Sequence, residues 1–202
     1  MGLYSKYVLP RLIDLSMKNR ATTKCRSEII PKATGRVLEI GIGSGLNFPY
    51  YGPTVSHVWG IDPSPELLGM VRPKVTTLPY SVDLLCESAE QIPLESASAD
   101  TVVLTWALCT IPNPTRALEE LRRVLKPGGS VIFAEHGLAP DARVCRWQER
   151  MNPLSRHIAG GCNMNRKIDA LISDAGFNIR ELRTSYFPGP RILTYTFEGV
   201  AV

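Results

Sequence analysis

Residues 37–47 read Val37-Leu38-Glu39-Ile40-Gly41-Ile42-Gly43-Ser44-Gly45-Leu46-Asn47, an apolar run broken by three glycines at alternate positions. A run as short as Arg36–Ile40, stopped by glycine, reads as a buried strand. The glycines allow tight turning and let a ligand come close to the backbone. The expected continuation is a turn followed by a helix. A dinucleotide fingerprint would require glycine at 46, where this chain has Leu46. Asp62 ends the next apolar run, Ser56–Ile61, where a carboxylate accepts hydrogen bonds from a ribose diol. Glu39, the three glycines and Asp62 together favour nucleoside binding over a plain strand-to-helix turn.

Working outward, Val82–Cys86, Thr101–Trp106 and Ser130–Ala134 read as three further strands, the last after the turn Pro127-Gly128-Gly129. The clearest intervening helix is Thr115–Leu125, with Ala117, Leu118, Leu121, Val124 and Leu125 at helical spacing. Asn178–Tyr186 and Arg191–Phe197 read as a hairpin joined through Phe187-Pro188-Gly189-Pro190. Alternating strands and helices predict an α/β fold. The expected architecture is a Rossmann-like seven-stranded sheet, mostly parallel with a C-terminal antiparallel hairpin, and helices on both faces. Residues 1–35 form a basic helical segment, a lid or membrane-adjacent element, in which Pro10 is expected to interrupt the helix over 4–19. Residues 36–202 form the main domain. Residues 138–167 are long for a connection and read as an acceptor-side lid insertion.

The 202 residues are 44% hydrophobic and 21% charged, a globular composition that excludes disorder and fibrous architectures. No uncharged apolar run reaches the roughly 18 residues of a spanning helix, and the first residues lack a secretory h-region. The five cysteines show no metal-ligand spacing, so free thiols, no metal and a cytoplasmic location are expected. The net charge of +4 conceals a division. Residues 1–36 carry eight basic side chains against two acidic, and 143–167 six against one, while 37–142 carry six against twelve. The patches suggest either solvation or peripheral contact with an anionic membrane surface, and both are expected to border the acceptor side rather than the glycine loop. A pI near 8.9 and the lack of a recognition module argue against nucleic acid. No obligate protein partner is evident.

The set Glu39–Gly45 (E-x-G-x-G-x-G), Gly60–Ser64, Glu87–Pro93, Ala99–Val103 and Leu121–Gly129 resembles the class I S-adenosylmethionine-dependent methyltransferases. Within that superfamily it is most similar to the ubiquinone/menaquinone-type branch. Leu108-Cys-Thr-Ile111, Glu135-His136 and His157–Cys162 are similar to the methyltransferase-like protein 7 group, membrane-associated enzymes thought to methylate alkyl thiols. The resemblance implies S-adenosylmethionine as cofactor and S-adenosylhomocysteine as product. It places Gly41, Gly43, Gly45 and Asn47 against the methionine and ribose portions. Glu39 would anchor that loop or the methionine amino group, and Asp62-Pro63 would meet the ribose. Ser88-Ala89 would face adenine, and Thr105 and Trp106 the sulfonium and acceptor.

A methyl acceptor that keeps its proton needs a general base, and a thiol needs one least. His136, after the fifth strand, is the best-placed candidate base, with packing as its alternative. His157 is a weaker candidate. Cys109 reads as a small buried residue. Arg143, Arg146 and Arg150 share one helix face and Trp147 and Met151 a neighbouring one. Arg146, Trp147 and Met151 would then meet the substrate, unless they form a solvated face over a packed one. The leading expectation is methylation of a small lipophilic acceptor, thiol first, then quinone-like carbon or phospholipid amine. A nicotinamide-dependent oxidoreductase and a non-catalytic S-adenosylmethionine-binding module are the alternatives.

Overall fold

The structure, a computed structural model, describes residues 4–202, without the side chains of Ser5 and Lys6. A helical stretch from Tyr4 runs into α1 (Leu9–Ser16), and Pro10 lies in the first turn of α1. There the wider helical turns of Tyr4–Val8 give way to regular α-helix, so Pro10 marks a change of helix type where an interruption was expected. Asn19 caps α2 (Arg20–Ile29), its side chain accepting from the amides of Ala21 and Thr22 at 2.9 and 3.0 Å. Three strands follow, β1 (Gly35–Ile40), β2 (Val55–Ile61) and β3 (Ser81–Leu85), with α3 (Pro65–Val75) between the last two. Next come β4 (Ala99–Thr105), α4 (Pro114–Val124), β5 (Leu125–His136), α5 (Ala142–Ile158) and α6 (Ile168–Asp174). The chain closes with β6 (Ile179–Tyr186), the single turn α7 (Arg191–Thr194) and β7 (Tyr195–Ala201).

The sheet order is β3-β2-β1-β4-β5-β7-β6, with β1 to β5 parallel and β7 antiparallel to both its neighbours. The predicted seven-stranded sheet is present. Its alternating residues feed two cores. Leu38, Ile40, Ile61, Val102, Leu104 and Phe133 meet α4 and α6 on one face. Val37, Val58, Val103 and Ile132 meet α2 and α3 on the other. A leucine buried as fully as Leu118 contributes roughly 2 kcal/mol by removal from water.

Three local expectations differ from the structure. The glycine loop leads only into a 3₁₀ turn, Phe48–Tyr50, and not into a helix. Pro49 and Pro53 lack amide donors and Gly52 carries helix-breaking entropy, so no helix propagates there. Arg191–Thr194 is a helical turn and the last strand starts at Tyr195, because Phe187–Pro190 spends the chain's length on turning. Lys126–Gly129 bulges from β5 rather than preceding it, since Leu125 already pairs with Ala99 and pairing resumes at Ser130.

Candidate active site

Strand order reverses between β1 and β4, which opens a crevice at their carboxyl ends. The glycine loop leaves β1 at that crevice. The amides of Gly41 and Ile42 both donate to the Ile61 carbonyl, at 2.8 and 3.1 Å. Gly41 has φ +67°, and a Cβ there would lie 2.6 Å from that of Ala107, so both conformation and space demand glycine. At Gly43 (φ +57°) an added Cβ would meet only the Gly41 carbonyl oxygen, at 3.8 Å, which leaves room for a ligand to approach.

Two buried carboxylates hold this loop. Glu39 accepts from Asn47 Nδ2 (2.8 Å) and the Tyr51 hydroxyl (2.7 Å), and Asn47 Nδ2 also donates to Thr105 Oγ1 (3.0 Å). Burial pushes Glu39 up to about 7, although those two donors and Arg26 favour its anion. Asp62 accepts from the amides of Gly43 (3.0 Å) and Ser64 (2.9 Å), and burial raises it against these bonds.

The opposite wall comes from the N-terminal segment, read from the sequence as a lid or membrane-adjacent element. Arg26, one of the basic side chains expected there to be solvated or to meet a membrane surface, is buried. It donates through Nε to Asn47 Oδ1 (3.1 Å) and through Nη1 to the Met17 carbonyl (2.8 Å), and its guanidinium lies 4.8 Å from the Trp106 ring centroid. Asp14 of α1 accepts from Ser44 Oγ at 2.5 Å and pairs with Lys18 at 2.6 Å. The N-terminal segment therefore borders the glycine loop, contrary to expectation, because Asp14 accepts from Ser44 of the loop and Arg26 is drawn to Asn47 and the Glu39 carboxylate. Ile13, Asp14, Met17 and Arg26 close a cavity of about 70 Å³ over Glu39, the loop and Trp106. A second cavity of about 430 Å³ adjoins it across Met17, Arg26 and Leu46.

Trp106 has φ +50°, strained for a residue with a large side chain, and its amide is held by the Ala134 carbonyl at 2.8 Å. Glu135, fully buried, fixes the next residues by accepting from the amides of Ala107 (2.7 Å) and Leu108 (2.9 Å). Neither role leaves a trace in periodicity or spacing, since each depends on contacts across the sheet.

The remaining expected residues scatter. Pro63 and Ser88 are exposed and Ala89 is buried in the core beside the end of β3. His136 ends β5 with Nε2 3.1 Å from Cys162 Sγ, while its buried Nδ1 has no hydrogen-bond partner. The Cys109 thiol and the His136 ring hold Cys162 down at about 4, and burial and Cys162 push Cys109 up. His157 is exposed near the end of α5. Arg146 and Trp147 are exposed too, Trp147 by 50%, and Met151 is half-buried; none lines the cavity under α1. α5, whose Trp147 and Met151 were expected to meet the substrate or to form a packed face, buries Gln148 and Ser155 instead. Gln148 earns that position by satisfying backbone groups: it accepts from Ala139 (2.9 Å) and donates to Gly137 (3.0 Å) and Ile192 (3.1 Å).

Comparison with known proteins narrows the class. The family model described as a methyltransferase domain matches residues 38–133. A methyltransferase structure from Bacillus halodurans, 19% identical, superposes with a TM-score of 0.68 over 88% of this chain and 94% of its own. Residues 38–133 are a methyltransferase domain, and together these findings support a class I S-adenosylmethionine-dependent methyltransferase. More narrowly, it is 32% identical over 158 residues to the thiol S-methyltransferase TMT1B of Rattus norvegicus, 76% of this chain and 64% of that one. The chain thus spans just under two thirds of the length of that relative. It is also 36% identical over 104 residues to a phosphatidylethanolamine N-methyltransferase of Cereibacter sphaeroides, 50% of this chain and 51% of that one. These findings set aside the nicotinamide reading, as Leu46 had suggested. The cofactor of this class is S-adenosylmethionine, and the residues present fit it: an open cradle at Gly43, a carboxylate at the end of β2 and a buried glutamate beneath the loop.

Proposed function

We propose that this protein transfers the methyl group of S-adenosylmethionine to a small lipophilic acceptor, a thiol first, releasing S-adenosylhomocysteine. The observation that carries the reading is the glycine loop held from below by Glu39 and from the side by Asp62, facing Trp106 across the crevice. S-adenosylmethionine brings a methyl group already activated on a sulfonium, so the chain has to align the acceptor and exclude water. Gly41, Gly43, Gly45 and Asn47 form the cradle, with Asp62-Pro63 on the ribose side and Ser88-Ala89 toward adenine. Thr105 and Trp106 meet the acceptor end. No histidine lines the cavity under α1, which suits a nucleophile that ionises readily, as a thiol does.

A phospholipid amine is the second reading, and a quinone-like carbon the third. The amine is favoured by the bacterial phospholipid N-methyltransferase relative and by the surface around α1 and α5. Tyr7, Leu12 and Leu15 from the N-terminal helices and Leu154 and Ile158 from α5 are exposed. The Tyr4 hydroxyl donates to the Ile158 carbonyl at 3.0 Å and ties the two together. Set among the basic residues of 1–36 and 143–167, this rim suits peripheral contact with an anionic membrane from the cytoplasmic side, with α5 and the loop after it as a lid. Among the described residues no helix is long and apolar enough to cross a membrane.

Labelled S-adenosylmethionine offered with alkyl thiols, quinones and ethanolamine lipids tests the proposal directly. Label in a thioether product supports it. Cofactor binding without transfer to any of the three would reduce the protein to a binding module.

A further inference from the structure

Cys109, His136 and Cys162 stand 27 and 26 positions apart in the chain, with no spacing that marks them as a set. The fold brings them together. Cys109 follows β4, His136 ends β5, and Cys162 lies in the loop after α5. One ligand atom from each, two Sγ and a ring nitrogen, falls within 4.8 Å of the others.

The supports are as specific as the cluster. Asn163 clamps the loop after β4, its amide and Nδ2 donating to the Cys109 carbonyl at 2.8 and 3.0 Å. Arg166 donates to the carbonyls of Leu108 and Ile111, the latter at 2.7 Å. Asn152 of α5 accepts from the Met164 amide at 2.8 Å and pins the other side of the same loop. Cys109 Sγ lies 3.8 Å from the Trp106 carbonyl, so the cluster adjoins the acceptor end of the crevice. Loops this firmly held bring three donor atoms together at little further entropic cost on binding.

We propose that Cys109, His136 and Cys162 form a three-ligand site for a thiophilic divalent cation, zinc foremost, with its fourth coordination position open. Two thiolates and one imidazole are the donor set that zinc takes in tetrahedral geometry. Zinc–sulfur bonds of about 2.3 Å and zinc–nitrogen bonds of about 2.1 Å set tetrahedral ligand atoms roughly 3.5 to 3.8 Å apart. The widest pair therefore has to close by about 1 Å, while Cys162 Sγ and His136 Nε2, 3.1 Å apart, have to open by about 0.5 Å. Among the described residues no fourth histidine, cysteine or carboxylate joins it, which leaves a position for water or a substrate sulfur. The site stands whichever acceptor is methylated.

The test is zinc binding by the full-length chain, stripped with a chelator and titrated with zinc in competition with a chromophoric chelator. The expected result is about one tightly held zinc per chain. Cys162→Ser and His136→Ala should each weaken it by at least about a hundredfold, more than the loss of an outer-sphere partner. Cys145→Ser, outside the cluster, should not. Affinity for S-adenosylmethionine confirms that each variant is folded. On the unaltered chain, saturating zinc should slow iodoacetamide alkylation of Cys162 at least about tenfold and leave Cys145 unchanged. Equal zinc binding by a Cys109→Ser/Cys162→Ser double variant, no tight zinc in the unaltered chain, or unprotected Cys162 would each overturn the site. None of these readouts requires turnover.

Discussion

The two walls of the crevice follow opposite rules. The wall made by β1, β2 and the glycine loop is acidic and buried, and both its carboxylates, Glu39 and Asp62, accept hydrogen bonds from the loops that follow β1 and β2. The wall made by the N-terminal helices is basic and turns much of its apolar surface outward: Leu15 is 70% exposed, and Pro10 is the one buried residue of α1. The first wall is positioned by the fold. The second is attached to the glycine loop at a few points, chiefly Arg26 and Asp14. Precision sits on one side of the site and adaptability on the other.

Replacing Asp62 by Ala strikes the precise wall. Two charge-assisted bonds to a ribose are worth enough that cofactor affinity in calorimetry should fall about a hundredfold. An unchanged affinity would show that Asp62 serves only Gly43 and Ser64. Replacing Arg26 by Ala cuts the main link between the walls. Losing bonds to Asn47 and Met17 together with the Trp106 contact should cost about 2 kcal/mol, a fall in melting temperature of about 4–8 °C. A smaller fall, matching that of an exposed arginine, would mean the walls are joined elsewhere.

The precise wall also has a pH signature. Glu39 is raised to about 7 in the folded chain, above the usual glutamate value, so the folded state holds its proton more tightly than the unfolded one. Its contribution to stability is full below about 4.5 and is lost as pH rises through 7. Arg26, Tyr51, Asn47 and Asp62 surround it and stay the same in a Glu39→Gln variant. The melting-temperature advantage of the natural chain over that variant should therefore shrink between pH 4.5 and 7.5, by several degrees. A constant difference would mean Glu39 is already ionised at low pH. The smallest effect belongs to the adaptable wall: Leu15→Asp should move the melting temperature by less than about 1 °C. It should also reduce co-sedimentation with anionic vesicles, and full retention would make the rim ordinary solvated surface.

The same division governs what could be read in the sequence. Val37–Gly45 and Asp62 were legible because strand ends and glycine turns are local, fixed by neighbours in the chain. The helix expected after Gly45 was misread because Pro49, Gly52 and Pro53 outweigh the general strand–turn–helix pattern. The burial of Arg26 and the backbone strain at Trp106 left no signal, since each arises from residues on other elements, although the family resemblance had already pointed to Trp106. Trp147, expected against the substrate or on a packed face, is exposed, while the fold buries the neighbouring Gln148, whose amide can satisfy three backbone groups.

The placement of β7 has a consequence for how the chain is made. β6 emerges from synthesis before β7, yet its only strand partner is β7, which fills the slot beside β5. Until Tyr195–Ala201 arrives, β5 presents an open edge and β6 has no place to dock. Vectorial assembly therefore stalls on a nearly finished sheet, with a sticky margin exposed for the time taken to add those residues. A ribosome pausing within that stretch would lengthen the interval in which the nascent protein is open to aggregation.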